Sequence, residues 1–205
     1  MEVKKLTIGN MDNNCYLLTD EKSGECALID CPDFNEEVEA FIGDKKPKYI
    51  LLTHGHYDHI LGVKKVREKY GSLVYIGEKD APMLESSKLS LAVFCMRDRT
   101  QEPVKADFFL RDGKVILLGD LEIKVMATPG HTKGSVCYVC ENVIFTGDTL
   151  FRLSYGRTDF PGGSMTDMKN SLQKLASLEG DYIVYSGHGK DSTLDFERQH
   201  NEMLR

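Results

Sequence analysis

His54-Gly-His-Tyr-Asp-His59 sets three imidazoles and a carboxylate within six residues. Neutral imidazole and carboxylate are ligands that suit zinc, iron or manganese. Two His one residue apart, then an adjacent Asp-His pair at a helix start, divide too sharply for one tetrahedral ion. They suit two ions side by side. The plainer reading, a polar loop in which Asp58 only caps a helix, leaves the remaining histidines unexplained. Val125-Met-Ala-Thr-Pro-Gly-His131, Val143-Ile-Phe-Thr-Gly-Asp148 and Ile183-Val-Tyr-Ser-Gly-His188 repeat the construction of Ile50-Leu-Leu-Thr-His-Gly-His56. Each is an apolar run, then Thr or Ser, then Gly beside His or Asp. Singly they read as a turn, a cap and a loop. Together they nominate His54, His56, Asp58, His59, His131, Asp148 and His188 as ligands. Five of the six His fall within or directly beside these segments. The sixth, His200, is expected on the surface or in packing.

The elements that position these residues follow from the apolar runs. A run that must lie inside a sheet delivers the next polar residue just past the strand tip. Four such tips from one sheet system converge on a crevice, where open α/β sheets bind ligands. Glycine beside the ligand lets the backbone turn and approach closely. Strands are expected at Leu6–Ile8, Cys15–Thr19 and Glu25–Asp30, then Tyr49–Thr53 and Leu73–Ile76. Later ones follow at Phe108–Leu110, Lys114–Leu118, Leu121–Ala127, Ser135–Cys140, Val143–Thr146 and Tyr182–Ser186. Helical spacing marks Asp33–Ile42, Ile60–Tyr70, Glu78–Leu84, Met165–Leu178 and Leu194–Leu204. Residues 85–105 carry the weakest pattern, with a helix at Leu89–Met96. This order predicts layered α/β architecture, sheets inside and helices outside.

At 205 residues, 41% hydrophobic and 28% charged, the chain has globular composition and length for a real core. No linker or low-complexity tract divides it, so residues 1–205 are read as one domain. The net charge of −6, with no long basic run, disfavours nucleic acid and anionic membranes as partners. A small molecule is the expected partner. The N-terminus has no signal-peptide core and no apolar run spans a membrane, so a cytoplasmic address is expected. The six cysteines suit that address as free thiols. Cys137 and Cys140 lie three apart on an expected strand and so point to opposite faces, as core residues rather than a metal or redox pair.

At this point the residues resemble the metallo-β-lactamase superfamily and, within it, small glyoxalase II-like hydrolases. The resemblance rests on Asn13-Asn-Cys-Tyr16, Leu28-Ile-Asp30, Thr53-His-Gly-His-Tyr-Asp-His59 and Ala127-Thr-Pro-Gly-His-Thr-Lys-Gly-Ser135. Phe145-Thr-Gly-Asp-Thr-Leu-Phe151, Gly156-Arg-Thr-Asp-Phe-Pro-Gly-Gly163 and Ser186-Gly-His-Gly189 complete it. It implies a four-layer αββα sandwich with the site along one edge of the paired sheets. It further implies two divalent ions, zinc first, with iron or manganese as alternatives. His54, His56 and His131 would hold one and Asp58, His59 and His188 the other, with Asp148 bridging both. Asp30 would orient a ligand from behind, although Cys31-Pro32 follows it where the family usually has a glycine nearby.

The chemistry implied is hydrolysis of a thioester, of the hydroxyacylglutathione kind, or of a related ester or lactone. Paired ions lower the pKa of water to about 7, and Asp58 would take the nucleophile's proton. Arg157 and, less directly, Tyr155 would meet the substrate, unless Arg157 only pairs with Asp159. The helical domain that follows in full-length glyoxalase II enzymes has no counterpart in the 17 residues after His188. Rival readings are a mononuclear iron, persulfide dioxygenase-like oxidoreductase, a non-enzymatic metal-binding protein and a phosphodiesterase.

Overall fold

The computed structural model describes residues 1–9, 11–95 and 101–204. One sheet runs edge to edge through β1 (Glu2–Ile8), β2 (Asn13–Thr19), β3 (Cys26–Ile29), β4 (Pro47–Leu51), β5 (Leu73–Gly77) and β6 (Phe108–Leu110). β1 to β3 pair antiparallel and β3 to β6 parallel. The later strands are β7 (Val115–Leu118), β8 (Leu121–Ala127), β9 (Val136–Cys140), β10 (Val143–Gly147), β11 (Leu150–Phe151), β12 (Ser154–Tyr155), β13 (Ile183–Ser186) and β14 (Ser192–Thr193). A second sheet orders them β14-β13-β10-β9-β8-β7, while β11 and β12 form a separate hairpin.

Alternation along the strands sets the layers. Tyr16 and Leu18, Ala27 and Ile29, Tyr49 and Leu51 point between the sheets, against Val136, Tyr138, Val143 and Phe145. Their neighbours Cys15, Leu17, Leu28 and Ile50 point outward. That outer face is covered by α1 (Glu36–Ile42) and α3 (Val63–Tyr70), through Val38, Ile42, Val63 and Val66. α2 (Tyr57–Ile60) and α4 (Ala92–Cys95) are single turns. The second sheet's outer face is covered by α5 (Met165–Ala176) and α6 (Leu194–His200), through Met168, Leu172, Leu175 and Leu194. The period of two on each strand therefore builds an αββα sandwich, as expected. Cys140 lies between the sheets and Cys137 under α5, on opposite faces of β9. All six cysteines are free thiols. Among the described residues no helix is long and apolar enough to cross a membrane.

Several element boundaries differ from those read in the sequence. Of the helix expected over Ile60–Tyr70, Val63–Tyr70 forms α3, while Ile60 ends the separate turn α2. Gly62 separates them: its N–H is spent on the Cys31 carbonyl at 3.0 Å, and a Cβ there would come within 2.3 Å of the Asp33 carbonyl oxygen. α1 starts later than Asp33 because Asn35 caps it, accepting from the Val38 N–H at 3.1 Å. The helix expected at Glu78–Leu84 shrinks to a 3-10 turn at Ala81–Leu84, because Asp80 turns inward. In the weak stretch, Leu91 takes a positive φ of 70°, so α4 begins only at Ala92. Met96, the expected end of that helix, lies outside the described residues. The hairpin β11–β12 and the two-residue β14 are too short to leave a periodic signal.

Candidate metal centre

β8, β10 and β13 run in one direction in the second sheet, and β3 to β6 are parallel in the first. Their C-terminal tips meet along one edge. The Val136 N–H donates to the Thr53 carbonyl at 2.8 Å, Tyr138 Oη to the Leu52 carbonyl at 2.6 Å and Tyr16 Oη to the Ser186 carbonyl at 2.7 Å. These bonds tie the sheets together where the polar residues emerge.

All seven nominated side chains converge there. His54, His56 and His131 form one set, Asp58, His59 and His188 a second, and His54, His59 and Asp148 a set between them. Within each set the donor atoms lie within 4.8 Å of one another. His59 Nε2 is 3.3 Å from His188 Nε2, 3.4 Å from Asp148 Oδ1 and 3.6 Å from Asp58 Oδ2. Asp148 Oδ2 is 3.5 Å from both His131 Nε2 and His188 Nε2, so this carboxylate touches both ends of the cluster. For bonds of about 2.1 Å to a tetrahedral ion, neighbouring ligand atoms sit about 3.4 Å apart. The separations around His59, Asp148 and His188 match that spacing. Among the described residues, Nε2 of His54 and Oδ1 of Asp148 are buried with no hydrogen-bond partner, a costly state that a cation between them would relieve. The donor set and its spacing therefore fit two divalent ions.

The partners behind the histidines aim them. His131 Nδ1 faces the Arg157 carbonyl at 2.7 Å and His188 Nδ1 faces the Met11 carbonyl at 2.8 Å. A carbonyl only accepts, so both Nδ1 atoms carry a proton and Nε2 is the nitrogen turned toward the cluster, where a cation would take the place of any proton on it. Asp30 serves two histidines. Its Oδ2 accepts from His59 Nδ1 at 2.9 Å and from Thr53 Oγ1 at 2.8 Å. Having donated its one proton, Thr53 Oγ1 accepts from His54 Nδ1 at 3.1 Å. Asp30 itself adopts φ 57°, a left-handed conformation that Asp tolerates better than most residues. The turn thus forms without the glycine usual nearby in the family.

Electrostatics within the cluster is steep. Burial, reinforced by the neighbouring imidazoles, holds His54 well below its ordinary value. The same causes, burial first and then His131, push His56 down to about 3. Burial opposes protonation of His59 too, but Asp148, Asp58 and Asp30 overcome it and raise His59 to about 9. For His188 burial is outweighed by hydrogen bonds to Asp148 and Asp58, which raise it to about 11. Burial alone would raise Asp148, yet His59 and His188 bring it down to about 2. Asp58 is lowered likewise, against its burial, by His59 and by hydrogen bonds from His188 and Asn13. Two ionised carboxylates thus demand positive charge beside them, whether from imidazolium protons or from cations.

The remaining nominated residues lie at different distances from the cluster. Arg157 lines the cavity over it, but its guanidinium is held by Asp159 in a bidentate pair at 2.7 Å and lies 3.9 Å from the Phe160 ring centroid. Tyr155 lies away from the cluster. Its ring packs against the apolar layer under α5 and α6 and it does not line the cavity, because the β11–β12 hairpin turns it away. His200 is exposed and stacks on Phe196, outside the site. The cavity measures about 420 Å³, with Met11, Tyr57, Leu91, Phe151 and Phe160 among its walls.

Two residues that the sequence did not nominate hold the ligand loops. Asp80 is 1% exposed. It accepts from the Gly55 N–H at 3.1 Å, between His54 and His56, and from Thr132 Oγ1 and the Gly134 N–H at 2.6 and 2.8 Å, just after His131. Asn13 donates to Asp58 Oδ2 and to the Asp58 carbonyl, each at 3.0 Å. Asn13 stood within a matched motif and Asp80 beside a strand tip, but neither spacing revealed its partner.

A sequence model described as the metallo-beta-lactamase superfamily matches residues 8–188. A relative from Haemophilus influenzae, named hydroxyacylglutathione hydrolase GloC, is 30% identical over 100% of this chain and 98% of its own length. Among solved structures, BLEG-1, a B3 metallo-beta-lactamase, superposes with a TM-score of 0.92 at 34% identity, covering 99% of both chains. TTHA1623, solved in a di-iron-bound form, gives 0.87 at 32% identity, covering 98% of this chain and 100% of that one.

Proposed function

The chain belongs to the metallo-β-lactamase superfamily, and from that premise we propose a dinuclear metal-dependent hydrolase of thioesters or related esters and lactones. The observation that carries the proposal is the convergence of five imidazoles and two carboxylates at ligand-to-ligand spacing, with Asp148 reaching both sets. Zinc suits these ligands, and so does iron, which the di-iron form of TTHA1623 supports for that neighbour. The name of the Haemophilus relative supports a thioester as substrate.

When bound, a pair of divalent ions would acidify water and polarise a carbonyl oxygen. His54, His56 and His131 would hold one, Asp58, His59 and His188 the other, and Asp148 both. The protein's own groups do the rest. Asn13 fixes Asp58 Oδ2, so this carboxylate is set to accept the proton of attacking water while facing the cavity. Asp30 and the Met11 and Arg157 carbonyls hold His59, His188 and His131 in the orientations that leave Nε2 free. The apolar walls at Leu91, Phe151 and Phe160 keep bulk water from the acyl group. Arg157 lines the cavity with its guanidinium paired to Asp159.

The test is metal analysis followed by a screen of thioesters, lactones and phosphodiesters, with Asp58→Ala as control. Two metals per chain and thioester turnover lost in the control are the expected result. One iron per chain with rapid oxygen uptake on a thiol persulfide would overturn it, as would equal rates in the control.

A further inference from the structure

Beside the metal cavity lies a second groove of about 390 Å³, within the usual span of roughly 300–1,000 Å³ for small-molecule sites. Leu91 belongs to both, and the Phe160-Pro161 step puts Phe160 in the first and Pro161 in the second. The groove is therefore an extension of the catalytic cavity across one side chain. Its apolar floor includes Met83, Leu89 and Phe94, the last two 52% and 71% exposed.

Its exposed charged groups have one sign. Lys79, Lys88 and Lys133 line it, all exposed, and none forms an ion pair or hydrogen bond among the described residues. The one carboxylate in the lining, Asp80, is buried, and both of its oxygens are taken by Gly55, Thr132 and Gly134. The nearby acid Glu78 is held by Arg111 at 2.8 Å. Arg157, by contrast, is answered by Asp159. On a chain of net charge −6, three exposed cations, none of them in an ion pair among the described residues, line this one apolar groove. Such a lining attracts an anion that carries a carbon chain.

We propose that this groove holds the anionic thiol half of the thioester substrate, its carboxylates or phosphates against Lys79, Lys88 and Lys133, while the acyl carbon sits over the metal cluster. The inference rests on the thioester reading above. Hydrolysis then breaks the C–S bond, water supplies the hydroxyl of the acid product, and the thiol leaves from the groove with its proton.

The experiment compares metal-replete wild type with the triple variant Lys79→Gln, Lys88→Gln, Lys133→Gln. One acyl group is presented on glutathione, on coenzyme A and on neutral N-acetylcysteamine. The variant should raise KM for an anionic thioester about tenfold, the scale expected of three exposed charges, with kcat within twofold and the neutral thioester unchanged. Glutathione or coenzyme A showing the shift distinguishes carboxylate from phosphate. Raising ionic strength should reproduce it in the wild type. Unchanged KM throughout, or an equal rise on the neutral thioester, would overturn the proposal. Calorimetry with the S-methyl thioethers of glutathione and coenzyme A separates the two readings. Binding that weakens in the variant, without any thioester turnover in wild type, would keep the groove and defeat the hydrolase. No thioether binding to wild type would defeat the groove whatever the turnover.

Discussion

Replacing Gly187 by alanine tests the shared position of Asp148 with a single methyl group. An ideal Cβ at 187 would lie 2.3 Å from Asp148 Oδ1, 2.8 Å from His59 Cε1 and 3.1 Å from the Gly147 carbonyl carbon. An ordinary carbon-oxygen contact is about 3.4 Å, so the carboxylate must retreat by about 1 Å or the 186–189 loop must lift. Overpacking of this kind costs about 1–3 kcal/mol of stability, a loss the fold should survive. The larger effect falls on the cluster. Asp148 Oδ2 has only 3.5 Å contacts with His131 and His188 to lose, and a displacement of about 1 Å at a reacting site costs on the order of a hundredfold in rate. Plasma emission spectrometry on Gly187→Ala should find fewer than two metals per chain at concentrations that saturate wild type. Hydrolysis should fall about a hundredfold while circular dichroism stays native. A variant that binds two metals with wild-type affinity and turns over normally would refute the bridging role and the reasoning from spacing.

Two further variants probe the polar groups that hold loops. Asp80→Ala leaves the buried Gly55 and Gly134 N–H groups without acceptors, and should cost on the order of 3 kcal/mol by urea denaturation. Because Gly55 lies between two histidines, the same variant should release metal to a chelator at lower concentration than wild type. Asp20, in the turn after β2, is held below the usual carboxylate range first by the Ser23 hydroxyl and then by the Asp120 N–H, against burial. Its contribution is complete above the unfolded carboxylate value and is lost as pH falls through the folded one. Asp20→Asn should therefore lower Tm at pH 7, and the difference from wild type should shrink below about pH 4.

The His-x-His-x-Asp-His run, the Thr-Pro-Gly-His turn and the two strand-Gly-ligand tips were all readable from the chain. Each is local: an apolar strand fixes where its next polar residue must emerge, and that holds before any partner is known. The layering was legible from the order of strands and helices, while which face of β2, β4 or β9 looks inward was not, because both faces of these strands are apolar. Helix edges were less legible, since Gly62 parts α2 from α3 through its bond to the Cys31 carbonyl and its closeness to Asp33.

Residue types and their order alone determined which side chains could bind metal, and that apolar strands would carry them to one edge. What the tertiary structure decided was distance and pairing. It turned Tyr155 into the apolar layer, engaged Arg157 with Asp159, and brought Asp80 and Asn13 to loops 25 and 45 residues away. It also set Lys79, Lys88 and Lys133 along one groove with no ion pair among the described residues. Hydrogen bonds and ion pairs act over a few ångströms, and separation along a sequence carries no information about which groups folding will bring that close.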